Sequence, residues 1–399
     1  MVSSKNSPAL KVALLTAGRD HPYAFGMATA LMAKGLALDI IGGDDLDSPQ
    51  WHDTPSVRFL NFRGDISERV GLPKKVMRIL DYYVRLLWYA FTSRADVFHI
   101  LWNNKFETFD RVPLMLYYSL LGKKTVLTVH NVNMRKRDKN DSWFNRLTLR
   151  AQYQLADHLF VHTQKMKHEL MDGYGVLESK VSVIPFGINN ATPTTDLTPE
   201  KAREKLRLKT TDRVILFFGN IAPYKGLEYL IEAFQLVMDG EGAYKLIIAG
   251  NPKNCDEYWT SIQEILGHHP NLEHIIQRIE FIPDSETEVY FKASDVLVLP
   301  YRHVFQSGVL SLGYSFGLPV IASDVGALRE DIIEGQTGFI CKPENANDLA
   351  NVIVQYFASD LYRGLNDRRA EIREYARQRY SWDLVGNLTV DAYGNLRLE

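Results

Sequence analysis

The chain has 399 residues, 46% of them hydrophobic and 24% charged, with a formal net charge of −2. That length exceeds what one hydrophobic core usually serves and predicts two domains, and the composition excludes a disordered, collagenous or disulfide-built protein. Two cysteines, Cys255 and Cys341, are too few for a disulfide framework or a cysteine metal centre and fit a reducing cytoplasm, and no uninterrupted apolar run approaches the ~18 residues of a membrane span.

The start, MVSSKNSPALKVALLTAG, carries an apolar run too short for a signal h-region with its cleavage site, and reads as a first strand over 11–16. Further strands are predicted over 37–41, 57–62, 97–100, 125–129, 158–162 and 181–184, with helices over 23–34, 74–93, 110–121 and 143–155. The tetrapeptide IPFG at 184–187 and the polar, Pro/Thr-rich 189–199 read as a junction. Beyond it, strands over 214–218, 245–249, 278–282, 296–299, 320–322 and 339–341 alternate with helices over 227–238, 259–266, 287–293, 307–316 and 346–357. Helical material over 361–380 and 382–398 ends the chain. Such alternation predicts an α/β fold of doubly wound parallel sheets with helices on both faces. Residues 1–186 form one Rossmann-like domain in this reading and 187–380 a second, with 381–399 a helix packing back on the first.

The charge is divided unevenly. Residues 1–187 hold 25 Lys+Arg and 18 Asp+Glu, net +7, whereas 188–399 hold 21 and 30, net −9. This points either to an anionic partner for the first half, such as a membrane surface or a phosphorylated acceptor, or simply to halves of different pI. Within that half, 72–94 (LPKKVMRILDYYVRLLWYAFTSR) mixes Lys74, Lys75, Arg78 and Arg85 with Tyr82, Tyr83, Trp88, Tyr89 and Phe91, and 134–139 (MRKRDK) adds a basic loop. The helix reads as interfacial, in peripheral contact with anionic inner-leaflet lipid, or as a partly buried domain helix with solvated lysines. No groove-reading motif accompanies the basic residues, so nucleic acid is not expected as a partner.

The most informative stretch is 295–343, DVLVLPYRHVFQSGVLSLGYSFGLPVIASDVGALREDIIEGQTGFICKP. It reads as strand, loop, helix and strand, with the loop at a strand's carboxyl end, where open parallel sheets bind ligands. The helix opens on Ser307-Gly308, small residues that leave backbone N–H groups open to a phosphate.

Four segments carry a resemblance: 183–189 (VIPFGIN), 219–234 (GNIAPYKGLEYLIEAF), 293–300 (ASDVLVLP) and 317–338. In order and spacing together they resemble the family-4 retaining glycosyltransferases of the GT-B architecture. The resemblance implies two Rossmann-like domains facing across a cleft, the C-terminal one for a nucleotide-sugar and the N-terminal one for the acceptor. It implies no cofactor, a nucleotide diphosphate-sugar as co-substrate, and a glycan or lipid-linked acceptor in cell-surface polysaccharide or glycolipid synthesis.

By position, Lys225 resembles the family's phosphate lysine. The helix start at Gln306, Ser307, Gly308 and Val309 would supply donors to the diphosphate whose charge grows as the glycosidic bond breaks. Such fixed charge makes a metal unnecessary, and the sequence offers no ligand cluster. Its one D-x-D string, Asp45-Leu46-Asp47, reads as a solvated loop. Asn220 stands where the family carries an arginine, Ile282 lies in the loop expected near the base, and Glu330 is the carboxylate available for the ribose. His130, ending a strand in TVHN, is the expected catalytic histidine, hydrogen-bonding the transferred sugar, unless neighbouring backbone satisfies it. Arg19 and His21 in AGRDHPY, with His99, are the acceptor-side candidates.

The chain departs from the pattern by lacking the E-x7-E glutamates. Val304, Phe305 or Gln306 and then Leu312 or Gly313 stand at those places, while Glu280 and Glu288 have the spacing but lie in the preceding segment. With no Asp or Glu in the donor loop, a front-face mechanism is favoured. The alternatives are a catalytically weak paralogue that regulates a partner transferase, or another enzyme of this architecture such as a nucleotide-sugar epimerase.

Overall fold

The computed structural model describes residues 10–17, 21–64, 72–137, 140–187, 195–238, 243–252, 255–304 and 306–398, and the side chains of all of these except 72–75, 136, 137 and 398. Arg19, Phe305 and the lysines at 74 and 75 therefore lie outside the residues or side chains described. The chain divides into two compact units, Met1–Gly187 with Trp382–Glu399, and Ile188–Ser381.

Unit 1 is built on seven parallel strands: β1 (Lys11–Leu15), β2 (Ala37–Gly42), β3 (Val57–Asn61), β4 (Val97–Ile100), β5 (Lys124–Thr128), β6 (His158–Val161) and β7 (Val181–Val183). Their spatial order is β3-β2-β1-β4-β5-β6-β7. Unit 2 has six: β8 (Arg213–Phe218), β9 (Tyr244–Ala249), β10 (Ile275–Arg278), β11 (Val296–Leu299), β12 (Val320–Ser323) and β13 (Gly338–Cys341), in the order β10-β9-β8-β11-β12-β13. Central strands such as β8 and β11 are buried along nearly their whole length. Continuous apolar runs of this kind arise because helices cover both faces of a parallel sheet. In each unit the order reverses beside its first strand, between β1 and β4 and between β8 and β11. Those are the switch points where connections diverge and a crevice opens at the strands' carboxyl ends.

One strand differs from the sequence reading. The run IIQRIEFIP offers two apolar stretches, and the sheet uses the first: β10 pairs Ile275 with Leu246 and ends with Arg278 opposite Ala249. Ile282, expected to close that strand, lies beyond it, and Pro283 starts the next helical turn without an N–H to give a ladder.

The helix Trp382–Leu398 completes unit 1. Trp382 packs where only glycine leaves room, since a Cβ on Gly26 would stand 2.0 Å from its ring and one on Gly187 2.4 Å. Val385, Tyr393 and Leu396 of the same helix join the core around Val12, Leu14 and Leu31.

Candidate active site

At the switch point of unit 2, three glycines bring backbones close together. Gly219 follows β8 with φ of +94°, and a Cβ on Gly250 would collide with its carbonyl at 1.9 Å. The chain then turns through Pro223–Lys225 and closes on Gly226 at φ +63°, where a Cβ would meet the Pro300 carbonyl at 2.2 Å. Residues with a Cβ rarely adopt this left-handed backbone. The loop after β8 is thereby pressed onto the end of β11, and Lys225 is carried inward.

Lys225 is 5% exposed. Its Nζ lies 5.5 Å from the Tyr301 ring centroid and 5.9 Å from that of Phe217. Among the described residues no carboxylate pairs with it, and burial lowers its pKa to about 8. A Cβ on Gly219 would sit 3.0 Å from Nζ and 3.4 Å from Val309 Cγ2, which places Lys225 against the start of the helix Gly308–Ser315. Ser307 caps that helix, buried, with Oγ 3.3 Å from the Tyr301 hydroxyl. Gln306 Oε1 is enclosed without a hydrogen-bond partner among the described residues. A buried ammonium without a carboxylate, beside the positive end of a helix, is a charge arrangement matched by an anion.

The other donor-side candidates spread around this point. Gly308 and Asn220 are exposed, Asn220 one residue beyond Gly219. Glu330 is exposed on the short helix Leu328–Asp331, its carbonyl accepting from Arg379. The Ile282 side chain belongs to the hydrophobic core of unit 2, so only its backbone is free to meet a ligand. Glu288 is buried, accepting from the Thr195 backbone and hydroxyl and pairing with Lys292. It is a structural anchor, as its position outside the donor loop implied.

In unit 1, His130 follows β5 and stacks on Trp102 with ring centroids 4.3 Å apart and 4° between planes. Its Nδ1 lies 3.0 Å from His162 Nε2, and His162 Nδ1 lies 3.1 Å from the Ile184 carbonyl. A carbonyl only accepts, so His162 carries its proton on Nδ1 and leaves Nε2 bare. His130 then donates from Nδ1, and its own Nε2 is an unprotonated acceptor, enclosed and without a partner among the described residues. Burial holds the His130 pKa well below the imidazole range; His162 and His99 add to this, and the Leu101 carbonyl opposes it. His162, lowered to about 4 by burial, is neutral too. Beside His130 lies a cavity of about 200 Å³ whose lining includes Trp102, Asn131, Arg111 and Arg135. Arg111 is buried and donates to Asn145, Thr148 and Glu107.

The sequence reading did not single out His162, Trp102 or Arg111. His162 had a signal, since HLFVHT repeats the strand-then-histidine pattern of TVLTVHN one strand along. His99 requires correction. It lies within β4, fully buried, with Nδ1 2.6 Å from the Tyr393 hydroxyl and Nε2 2.7 Å from Thr128 Oγ1. Both nitrogens are consumed inside the core, so it cannot touch an acceptor. Burial lowers its pKa to about 3, with His158 adding to the effect. His21 opens the helix His21–Ala33, half-buried and stacked on Phe25.

Residues 22–191 match the family model described as Glycosyltransferase Family 4, and 199–379 match that described as Glycosyl transferases group 1. The chain belongs to the family-4 glycosyltransferases. Its curated relatives include D-inositol 3-phosphate glycosyltransferases of two corynebacteria. That of Corynebacterium urealyticum is 24% identical over 99% of this chain and 95% of its own length. That of Corynebacterium efficiens is 28% identical over 96% and 91%. Among solved structures, sucrose-phosphate synthase from Thermosynechococcus elongatus superposes with a TM-score of 0.73 at 18% identity, covering 98% of this chain and 99% of that one. Anabaena HepE in complex with UDP gives 0.74 at 15%, covering 97% and 100%. The fold of this glycosyltransferase is GT-B, and no helix among its described residues is long and apolar enough to cross a membrane.

Proposed function

We propose that this glycosyltransferase takes a sugar from a nucleotide diphosphate-sugar bound in unit 2 and passes it, with retention of anomeric configuration, to a hydroxyl of a glycan or lipid-linked acceptor recognised by unit 1. The observation that carries the reading is Lys225, buried beside the start of the helix Gly308–Ser315 with no carboxylate paired to it among the described residues. A diphosphate there accepts from the ammonium and from the free N–H groups following Ser307. Both interactions strengthen as the bond from the anomeric carbon to the diphosphate oxygen breaks and charge collects on the leaving group. The acceptor oxygen forms its bond to the anomeric carbon on the same face, and its proton passes to the departing phosphate. His130, neutral with a bare Nε2, accepts a hydrogen bond from a sugar hydroxyl. With its positive charge built from protein groups, the transfer does not depend on a divalent cation.

The relatives named for inositol 3-phosphate support including a phosphorylated polyol among the acceptors tried. The test is thermal shift and calorimetry across nucleoside diphosphates, followed by transfer assays with the nucleotide-sugar of the base that binds, with and without EDTA. Binding of one nucleoside diphosphate, loss of turnover in Lys225→Ala, and a product whose anomeric coupling matches the donor are expected. Failure of every nucleoside diphosphate to bind the folded chain refutes the reading.

A further inference from the structure

The helix Leu72–Thr92 is apolar on two faces. Tyr82, Tyr83, Leu86 and Tyr89 point inward and are buried. Val76, Leu80, Val84, Trp88 and Phe91, spaced by three or four residues, form a second line along the outside, with Trp88 68% and Phe91 64% exposed. The neighbouring helix Met115–Leu120 is fixed alongside, Tyr117 donating to the Leu87 carbonyl at 3.1 Å, and adds Leu120 at 85% exposure. Arg78, Asp81 and Arg85 form a narrow polar stripe between the two, and an exposed apolar surface of this extent marks a contact site.

What covers it is indicated by a second feature. At the Trp88 end lies a cavity of about 430 Å³ lined by Lys11, Arg58, Arg85 and Arg94, with no carboxylate in its lining. Lys11 and Arg58 lean on the buried Asp39 at 3.0 and 2.7 Å, and Arg85 on Asp81 at 2.8 Å. Arg94 pairs with no carboxylate among the described residues, so the cavity keeps an excess of positive charge. A second copy of this face would set arginines against arginines. A bilayer instead offers acyl chains to the apolar line and phosphates to the cations, with tryptophan at the boundary between them.

We infer that unit 1 docks on an anionic phospholipid surface through the outer face of Leu72–Thr92, a lipid phosphate seating among Arg58, Arg85 and Arg94. This goes beyond the transfer reaction and does not depend on Lys225.

The experiment is flotation of the full chain with vesicles of phosphatidylcholine alone or with a third phosphatidylglycerol, at low and high salt. Binding to the anionic vesicles, weakened by salt, is expected. Trp88→Ala with Phe91→Ala should weaken it at least about tenfold, and Arg85→Gln or Arg94→Gln about fivefold each. Far-UV circular dichroism and thermal unfolding serve as the check that each variant is folded, and Lys225→Ala should float like the native protein. No binding to anionic vesicles at low salt overturns the inference. So does unchanged flotation of the Trp88/Phe91 variant, or a native dimer that the same pair of substitutions dissociates. Arginine variants that float as well as native overturn the phosphate seat.

Discussion

Replacing Lys225 with methionine separates the two effects of its ammonium. The side chain is buried, and its pKa is held at about 8 against the ordinary lysine value of 10.5. At about 1.36 kcal/mol per unit, keeping it protonated at pH 7 costs the ligand-free protein about 3 kcal/mol. Methionine has similar reach, no charge, and a thioether that packs well on the rings of Tyr301 and Phe217. Lys225→Met is therefore expected to be about 3 kcal/mol more stable than the native protein at pH 7. The sign with pH follows from proton counts. Between about 8 and 10.5 the unfolded chain binds a proton that the folded chain has shed, so native stability rises across that window and the variant's advantage disappears above it. Binding moves in the opposite direction. With a charge-assisted hydrogen bond gone, affinity for the nucleoside diphosphate should fall about 10- to 100-fold. Urea unfolding of both proteins at neutral and alkaline pH gives the first quantity and titration calorimetry the second. A variant less stable than native at pH 7, or one with undiminished affinity, refutes the assignment of Lys225 as an uncompensated buried cation facing the diphosphate.

Three further outcomes follow from the same geometry. In the native protein, nucleoside diphosphate affinity should decline as pH rises above about 8, by up to about tenfold per unit, because binding must restore the lysine proton; calorimetry over that range should show no such slope in Lys225→Met. Gly219→Ala meets both a left-handed backbone and Lys225 Nζ at 3.0 Å, and should cost about 1–2 kcal/mol in urea unfolding while also weakening diphosphate binding. His99→Phe leaves the hydroxyls of Tyr393 and Thr128 without their shared partner and should lower stability by about 2–4 kcal/mol; turnover per folded molecule is expected to stay unchanged, which an acceptor contact would not allow.

The strands were legible because a parallel sheet leaves so direct a trace: runs such as VLVL at β11 must be apolar on both faces and stop at proline or glycine. The reading slipped at β10, where two apolar runs in IIQRIEFIP compete and only pairing with β9 decides between them. Lys225 could be found from GNIAPYKG, but its burial beside Phe217 and Tyr301 could not, because one ring comes from β8 and the other from the loop after β11. His99 misled for a related reason. A histidine near a strand end reads as a rim residue, and the groups that neutralise it, Thr128 and Tyr393, lie 29 and 294 positions away. For Leu72–Thr92 the sequence left two readings open, interfacial or partly buried, because aromatic residues line both faces; Tyr82, Tyr83 and Tyr89 are buried and Trp88 and Phe91 exposed.

The seating of Trp382 between Gly26 and Gly187 has a consequence for how the molecule is made. The second unit is one continuous segment, complete as soon as residue 381 has left the ribosome. The first cannot close until residues 382–398 emerge, because their helix supplies Tyr393 to His99 and Val385 to the core beneath β1. Though translated first, it must wait, with that part of its interior uncovered, until those residues have been made. Chaperone engagement should therefore concentrate on the earlier-made half of the nascent chain.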